Sequence, residues 1–242
     1  MKIYKLIGMD LDGTLTQHKS KLETKVKEIL VKLQENHMCC IVGAGSAERI
    51  AKQMDFFPIE IIGNYGMQRA NVISGKIVFK KNEDYSVDKK WFEQKIKELR
   101  ISTGYTEYEG DSVEFHPSGA VTFPLLGTSA TLNAKLAFDP TGEKRTKIYD
   151  EVASCFNKYN CFIGGTSSFD IVSKKYDKYI SLIELAKSYQ ISKEQILYIG
   201  DDFKKGGNDE QVLLNGIDCL RIEDYRFFPE AIRKKGLLGE EL

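Results

Sequence analysis

The sequence has no excess charge of either sign and no long apolar run. Its 242 residues carry 35 basic and 35 acidic side chains. This balance disfavours nucleic-acid and membrane-surface binding, because proteins of those classes usually carry a basic excess. No stretch reaches the roughly 18 apolar residues of a membrane span, and the first residues do not form the apolar segment of a secretory signal. We therefore expect neither a nucleic-acid partner nor a membrane partner.

Cysteine is scarce, and its spacing excludes two common uses. The five cysteines contain no Cys-x-x-Cys pair. An odd number without that pair is untypical of a zinc site or of a disulfide framework. We expect a reduced, cytoplasmic protein. The sequence gives no indication of the oligomeric state.

The first feature with chemical content is an apolar run, Ile3 to Met9, that ends in an acidic turn. That turn reads Asp10-Leu11-Asp12-Gly13-Thr14-Leu15-Thr16. Side chains two apart on an extended backbone point the same way. Asp10 and Asp12 would therefore lie together at the carboxyl end of a strand, where open α/β sheets bind ligands. Two carboxylates there are typical of an Mg²⁺ site. An ordinary acidic turn is the alternative, because Asp and Gly are frequent turn residues.

The elements that follow predict a parallel α/β core. A helix is expected over residues 20–36, with Ser20 as its N-cap, and a buried strand over 38–42. Strand, helix and strand in this order form a parallel crossover. A hairpin is expected over 72–79, turning on Ser74-Gly75.

The pattern changes in the middle of the chain. From residue 83 it runs helix–strand–strand–helix–strand–strand, which is typical of an antiparallel α+β layer. The α/β pattern then resumes. We therefore expect a doubly wound parallel-sheet core from residues 1–82 and 177–242, with residues 83–176 inserted as an α+β cap domain.

A glycine-rich loop follows the second strand and reads Gly43-Ala44-Gly45-Ser46. A dinucleotide-binding turn is disfavoured, because Glu48 stands where the third glycine would be. Ser46 is expected to cap the next helix. Its hydroxyl and the neighbouring backbone N–H groups would also suit a phosphate.

A second acidic segment follows a buried strand near the end of the chain. It contains Asp201, Asn208 and Asp209. Taken alone, the segment could be an acidic turn followed by a helix cap. Lys178, taken alone, would most simply be a surface lysine. The four groups together, in the order acid pair, hydroxyl, lysine and acid cluster, match what phosphoryl transfer requires.

The same motifs resemble those of the haloacid dehalogenase superfamily of phosphoryl-transfer enzymes, which has a Rossmann-like core. The resemblance implies that Asp10 is the nucleophile that forms an aspartyl-phosphate and that Asp12 is the acid and base. It implies that Lys178 orients Asp10 and that Ser46 and Asn208 hold phosphate oxygens. An Mg²⁺ cofactor would be held around Asp10, the main-chain carbonyl of Asp12, Asp201 and Asp209.

A closer resemblance is to the Cof-type and eukaryotic-type phosphomannomutase subfamily. Gly200-Asp201 and Asn208-Asp209 have its spacing, with Gly206-Gly207 between them. The segments around Pro124, Ser168 and Tyr176 also look like parts of its cap. Thr128, Ser168 and Asp170 are the candidates for substrate contacts in the cap, and the implied substrate is a sugar phosphate or a similar monoester.

The chain departs from that subfamily where its cap arginines grip a second phosphate. Thr128 replaces one of them and His116-Pro117 another, and Lys135 is the basic residue of the segment 131–138. Thr cannot offer the forked contacts of Arg, and His116 and Lys135 would replace them only in part. We therefore expect a phosphatase, with a hexose-phosphate mutase as the alternative. A sugar-phosphate-binding protein without catalysis is a third possibility, which the intact acid pair disfavours.

Overall fold

The computed structural model describes residues 3–238, which form two compact units. The first unit contains residues up to Asn82, Lys178–Phe203 and the residues from Asp209 onward. The second contains Glu83–Asp177 and Lys204–Asn208. The division assigned from the sequence placed 204–208 in the core, whereas this segment groups with the second unit. The role of the second unit as a substrate-selecting cap stays a prediction.

The strands within residues 3–238 are numbered in chain order. They are β1 (Leu6–Met9), β2 (Met38–Val42), β3 (Glu60–Gly63), β4 (Gln68–Ile73), β5 (Lys76–Asn82), β6 (Glu114–Phe115), β7 (Val121–Pro124), β8 (Tyr159–Gly164), β9 (Ser168–Ser173), β10 (Ile196–Gly200) and β11 (Asp218–Arg221).

The α-helices within the same residues are numbered in the same way. They are α1 (Thr24–Asn36), α2 (Ala47–Gln53), α3 (Lys89–Thr103), α4 (Leu132–Phe138), α5 (Glu143–Cys155), α6 (Lys178–Ser188), α7 (Glu210–Leu214) and α8 (Phe228–Lys234). None of these helices combines the length and the apolar character that a membrane crossing requires.

The first unit is built on a seven-stranded sheet in the order β11-β10-β1-β2-β3-β4-β5. The strands from β11 to β3 run parallel, and β4 and β5 are antiparallel to their neighbours. The expected hairpin is present, with Ser74 and Gly75 at positive φ in its turn. Parallel strands place their carboxyl ends at one edge, so the residues after β1, β2 and β10 meet there.

Helices cover both faces of this sheet. On one face α1, α2 and α8 pack on side chains such as Ile7, Ile41 and Ile199. On the other, α6 and α7 pack on alternate side chains such as Leu6 and Tyr198. Strands buried on both faces are continuously apolar, which is why their positions were readable from the sequence. The prediction of a doubly wound α/β fold is confirmed.

The start of the first helix was predicted wrongly. α1 begins at Thr24 after Glu23, which makes no side-chain cap. Ser20 is not the cap, because its Oγ donates to the carbonyl of Gln17 at 2.8 Å in a local turn. The predicted cap of the next helix is confirmed: Ser46 Oγ accepts from the N–H of Arg49 at 3.2 Å.

The second unit has an antiparallel four-stranded sheet in the order β6-β7-β9-β8. One face packs against α3 and α5 through an aromatic core that includes Phe92, Phe123 and Phe156. Helix α4 was not predicted. Leu132 and Leu136 lie one helical turn apart, but the helix has only seven residues and none of them is buried, so the pattern is too short to indicate a helix.

Candidate active site

Three of the predicted site residues follow neighbouring strands of the first unit. Asp10 directly follows β1, Ser46 follows β2, and Asp201 follows β10. The backbone N–H of Asp10 donates to the carbonyl of Ile199 at 2.9 Å, which continues the β1–β10 pairing up to the acidic turn. Sheet register therefore fixes the Asp10 backbone beside the end of β10.

Lys178, at the start of α6, is fully buried between two carboxylates. Its Nζ donates to Asp10 Oδ1 at 2.7 Å and to Asp209 Oδ1 at 2.7 Å. Burial acts to lower the pKa of Lys178, but the charges of Asp10 and Asp209 outweigh it and hold that pKa above its usual value. The lysine is therefore a fixed cation and not a solvated surface residue.

Asp209 anchors this arrangement. Its Oδ1 also accepts from the hydroxyl of Tyr198 at 2.6 Å, and its Oδ2 accepts from the N–H groups of Asp201 and Asp202 at 3.1 and 3.0 Å. Together with the bond from Lys178, these contacts occupy the roughly four acceptor sites that a carboxylate offers. A direct bond from Asp209 to a metal ion would require one of them to break.

The turn after β1 contacts the side chain of Asp201. Thr14 Oγ1 donates to Asp201 Oδ1 at 2.9 Å. Gly13 has φ +94°, and a Cβ there would lie 2.5 Å from Asp201 Oδ2. Glycine at position 13 therefore lets the second acidic segment approach the first.

The carboxylates form a group that fits a divalent cation. Oxygens of Asp10, Asp201 and Asp209 all lie within 4.8 Å of one another. Burial raises the pKa of Asp201 to about 6, and Asp209 adds to the rise. Burial likewise raises the pKa of Asp10 well above its usual value, against the opposing effect of Lys178. One ammonium group for three carboxylates leaves negative charge that a bound cation would balance.

The Asp12 side chain is not part of that group, because it is held by α2 and the turn beyond it. Its Oδ2 accepts from Arg49 Nη1 at 2.9 Å, and its Oδ1 accepts from Gln53 Nε2 and from the N–H of Lys19, both at 2.7 Å. Burial acts to raise the pKa of Asp12, but Arg49, His18 and these hydrogen bonds lower it below its usual value. A metal contact through the Asp12 main-chain carbonyl stays a prediction.

The glycine-rich loop before α2 is supported by the turn after β3. The N–H of Asn64 donates to the carbonyl of Gly45 at 2.8 Å, and the N–H of Tyr65 donates to that of Gly43 at 3.2 Å. Asn64 and Tyr65 adopt positive φ to make these contacts. The carbonyls of the loop are thus tied down, and Ser46 still has its hydroxyl proton to donate.

The remaining predicted residues lie in the second unit. Thr128 Oγ1 accepts from the N–H of Asp111 at 2.8 Å, and Ser168 Oγ donates to the carbonyl of Gly164 at 3.0 Å. Ser168 and Asp170 lie two apart on β9 and share a sheet face. Asn208 Oδ1 is buried without a hydrogen-bond partner within residues 3–238. Roles in substrate binding for these four residues stay predictions.

Several residues around the acids were not predicted from the sequence. They are Thr14, Arg49, Gln53 and Tyr198. Arg49 and Gln53 lie one helical turn apart on α2, a spacing that places two side chains on one face. That spacing is common to most helices, so it carried no signal by itself.

Comparisons with known proteins find similarity to one family model and to several curated relatives. A family model described as haloacid dehalogenase-like hydrolase matches residues 125–213. A probable phosphomannomutase from Caenorhabditis elegans is 24% identical over 225 residues, covering 86% of this chain and 85% of the relative. A phosphomannomutase from Encephalitozoon cuniculi is 23% identical over 249 residues, covering 96% and 95%.

Among solved structures, the IMP-bound IMP-nucleotidase mutant of Plasmodium falciparum superposes with a TM-score of 0.70. It is 16% identical, and the match covers 98% of this chain and 68% of that one. A likeness at this identity shows the fold alone. The family model and the curated relatives support a hydrolase of the haloacid dehalogenase superfamily.

Proposed function

We propose that the protein is an Mg²⁺-dependent phosphohydrolase that cleaves a sugar phosphate or a similar monoester through an aspartyl-phosphate on Asp10. The buried contact of Lys178 with Asp10 carries this proposal. Lys178 engages Oδ1 of Asp10, and Oδ2 accepts no hydrogen bond from residues 3–238. A nucleophilic carboxylate needs one oxygen held and the other open toward phosphorus.

In the first step, an Asp10 oxygen forms a bond to phosphorus while the bond from phosphorus to the ester oxygen breaks. For this step Asp12 must be in its protonated form, which Arg49 disfavours, and it gives that proton to the departing oxygen. In the second step, Asp12 takes a proton from water, whose oxygen attacks phosphorus and releases Asp10 and inorganic phosphate. Ser46 and the loop N–H groups hold the phosphoryl oxygens. Bound at Asp10 and Asp201, Mg²⁺ would neutralise phosphoryl charge.

Hydrolysis is favoured over mutase chemistry by the arginines of the second unit. Residues 83–177 contain two arginines, Arg100 and Arg145. Arg100 donates to four backbone carbonyls and to Ser112 Oγ. Arg145 pairs with Asp139 at 2.8 Å and donates to two further carbonyls. Both are buried and engaged in holding the unit together, so neither guanidinium is available to hold a second phosphate.

Hydroxyl recognition is supported by a hydrogen-bonded chain on the sheet of the second unit. Thr122 Oγ1 donates to Asp170 Oδ1 at 3.1 Å and lies 3.0 Å from His116 Nε2. Because the Thr122 proton points to Asp170, His116 Nε2 must be the donor to Thr122. An ordered carboxylate is a good acceptor for sugar hydroxyls and repels a phosphate.

The test is a panel of phosphate monoesters assayed with Mg²⁺ for release of inorganic phosphate. We expect turnover of at least one sugar phosphate and none with Asp10→Asn. Acid-quenched wild type should carry phosphate on Asp10. Asp150→Asn, in an exposed ion pair of the second unit, is the matched control and should keep wild-type turnover. If wild type hydrolyses no ester, binding without catalysis becomes the better account.

A hexose-phosphate mutase is the second candidate, because the similarity to proteins named phosphomannomutase extends over most of the chain. Incubation with mannose 1-phosphate or glucose 1-phosphate, with and without a bisphosphate activator, separates the two. Isomer exchange without release of inorganic phosphate would contradict hydrolysis.

A further inference from the structure

Arg49 contacts the side chain of Asp12 directly. It lies in the first turn of α2, and its Nη1 donates to Asp12 Oδ2 and to Gln53 Oε1, both at 2.9 Å. Its side chain is 35% exposed and that of Asp12 15%. The pair is therefore partly shielded from water, where a charged hydrogen bond restrains geometry more firmly than on an open surface.

The absence of a side chain at Gly45 leaves room for the Arg49 side chain beside the loop. A Cβ at Gly45 would lie 2.2 Å from Arg49 Nε and from Nη2. The guanidinium group thus lies next to Gly45, in the loop that ends in Ser46. A side chain at position 45 would therefore compete with the Arg49 guanidinium for this space.

The other Asp12 oxygen is held separately. Oδ1 accepts from Gln53 Nε2 and from the N–H of Lys19. Gln53 is in turn fixed by Thr16, since its Nε2 also lies 2.9 Å from Thr16 Oγ1. A carboxylate has about four acceptor sites. Three are filled within residues 3–238, and the open one is on Oδ2, beside Arg49.

We propose that Arg49 is the positioning residue for Asp12 and that Asp12 exchanges protons through Oδ2. The inference rests on the proposed function, in which Asp12 serves the leaving oxygen and the water. Arg49 holds Oδ2 in place while its second lone pair stays accessible. Gln53 and Lys19 keep Oδ1 from competing for the proton.

Leaving-group dependence distinguishes this role from a structural one. A sugar phosphate releases a poor alkoxide and needs proton donation, whereas p-nitrophenyl phosphate releases a stable phenolate and needs little. Misplacing Asp12 should therefore slow the first reaction step of the sugar ester alone. For Arg49→Met we expect about a 10- to 100-fold fall in kcat/KM on the sugar phosphate, with single-turnover phosphorylation of Asp10 by p-nitrophenyl phosphate nearly unchanged.

Control variants separate a loss of Asp12 positioning from a general loss of activity. Lys52→Met, an exposed change on the same helix, should leave both substrates unaffected. Arg49→Lys keeps the charge with one donor group and should lie between wild type and Arg49→Met, which also covers the case in which Arg49→Met does not fold. Added guanidinium ion should restore sugar-phosphate turnover to Arg49→Ala without altering the p-nitrophenyl reaction.

Two results would overturn the inference. Equal losses on both esters with a raised KM would make Arg49 a substrate ligand. Full activity on the sugar phosphate in both Arg49→Met and Arg49→Lys would make its contact purely structural. Failure of the proposed function is a separate result, because wild type would then turn over neither ester.

Discussion

Lys178 Nζ donates a 2.7 Å hydrogen bond to Asp10 Oδ1 across 168 positions of sequence. The two side chains come from the carboxyl end of β1 and the amino end of α6, and Lys178 is fully buried. Removing one partner of a buried ion pair is strongly destabilising, because the other charge is left buried without compensation. This contact therefore supports both the stability of the first unit and the orientation of the proposed nucleophile.

Lys178→Met should lower stability and abolish turnover. Removing the ammonium leaves Asp10 and Asp209 buried without their cation, at a cost of about 3–5 kcal/mol in the free energy of unfolding. Urea titration and phosphate release measure the two effects. Lys187→Met, an exposed change on the same helix, should alter neither. Equal unfolding midpoints for the two variants would contradict the buried-pair account.

Gly13→Ala should weaken metal binding. Its Cβ would displace Asp201 Oδ2, so we expect a fall in Mg²⁺ affinity of about 10- to 100-fold, as for other changes beside metal ligands. Gly75 provides a matched control, because it also has positive φ but would place its Cβ in open space. Calorimetric titration with Mg²⁺ should separate the two alanine variants, although both place alanine at positive φ. Equal affinities would show that Asp201 is not the ligand that Gly13 accommodates.

The sequence was sufficient to locate Asp10, Ser46 and Asp201, for a physical reason. Each follows a strand that is buried on both faces, so an apolar run marks where the strand ends. Parallel pairing then brings those ends together. Lys178 was different: it stands among several lysines, and only the resemblance singled it out. Its contact with Asp10 depends on tertiary packing that no local pattern records.

The positions of the arginines show a further limit of the sequence. Arg100 lies within an amphipathic helix, where an arginine normally faces solvent. Instead it is buried and donates to backbone carbonyls at the end of β7 and in the neighbouring loops. No periodicity in the sequence indicates that those carbonyls need a donor. The role of Arg49 could not be predicted either, because its partner, Asp12, lies 37 positions earlier in a different motif. Helix α4 was missed because two leucines one turn apart in a seven-residue segment do not distinguish a helix from a loop.

Mg²⁺ should stabilise the protein more as pH rises through about 6, the pKa of Asp201. The unfolded chain ionises this carboxyl near its ordinary value of 3.8. Between these values folding favours the protonated form, so the metal-free protein loses stability as pH rises. A cation binds the ionised form and offsets that loss. The thermal shift produced by Mg²⁺ should therefore be small at pH 5 and large at pH 7.5, with Asp201→Asn removing most of the change. A shift independent of pH would contradict this assignment.

Arg100→Met should destabilise the second unit without creating a mutase. Burial lowers the pKa of Arg100 to about 10, yet it remains charged at neutral pH and serves the carbonyls of Tyr105, Pro124 and Leu125. Losing these donors leaves buried acceptors unpaired, at about 1–3 kcal/mol each. Urea unfolding should detect the loss, and hydrogen exchange should place it in β7. Lys97→Met, exposed on the same helix, is the control. Unchanged stability together with altered discrimination between mono- and bisphosphates would instead make Arg100 a substrate ligand and reopen the mutase alternative.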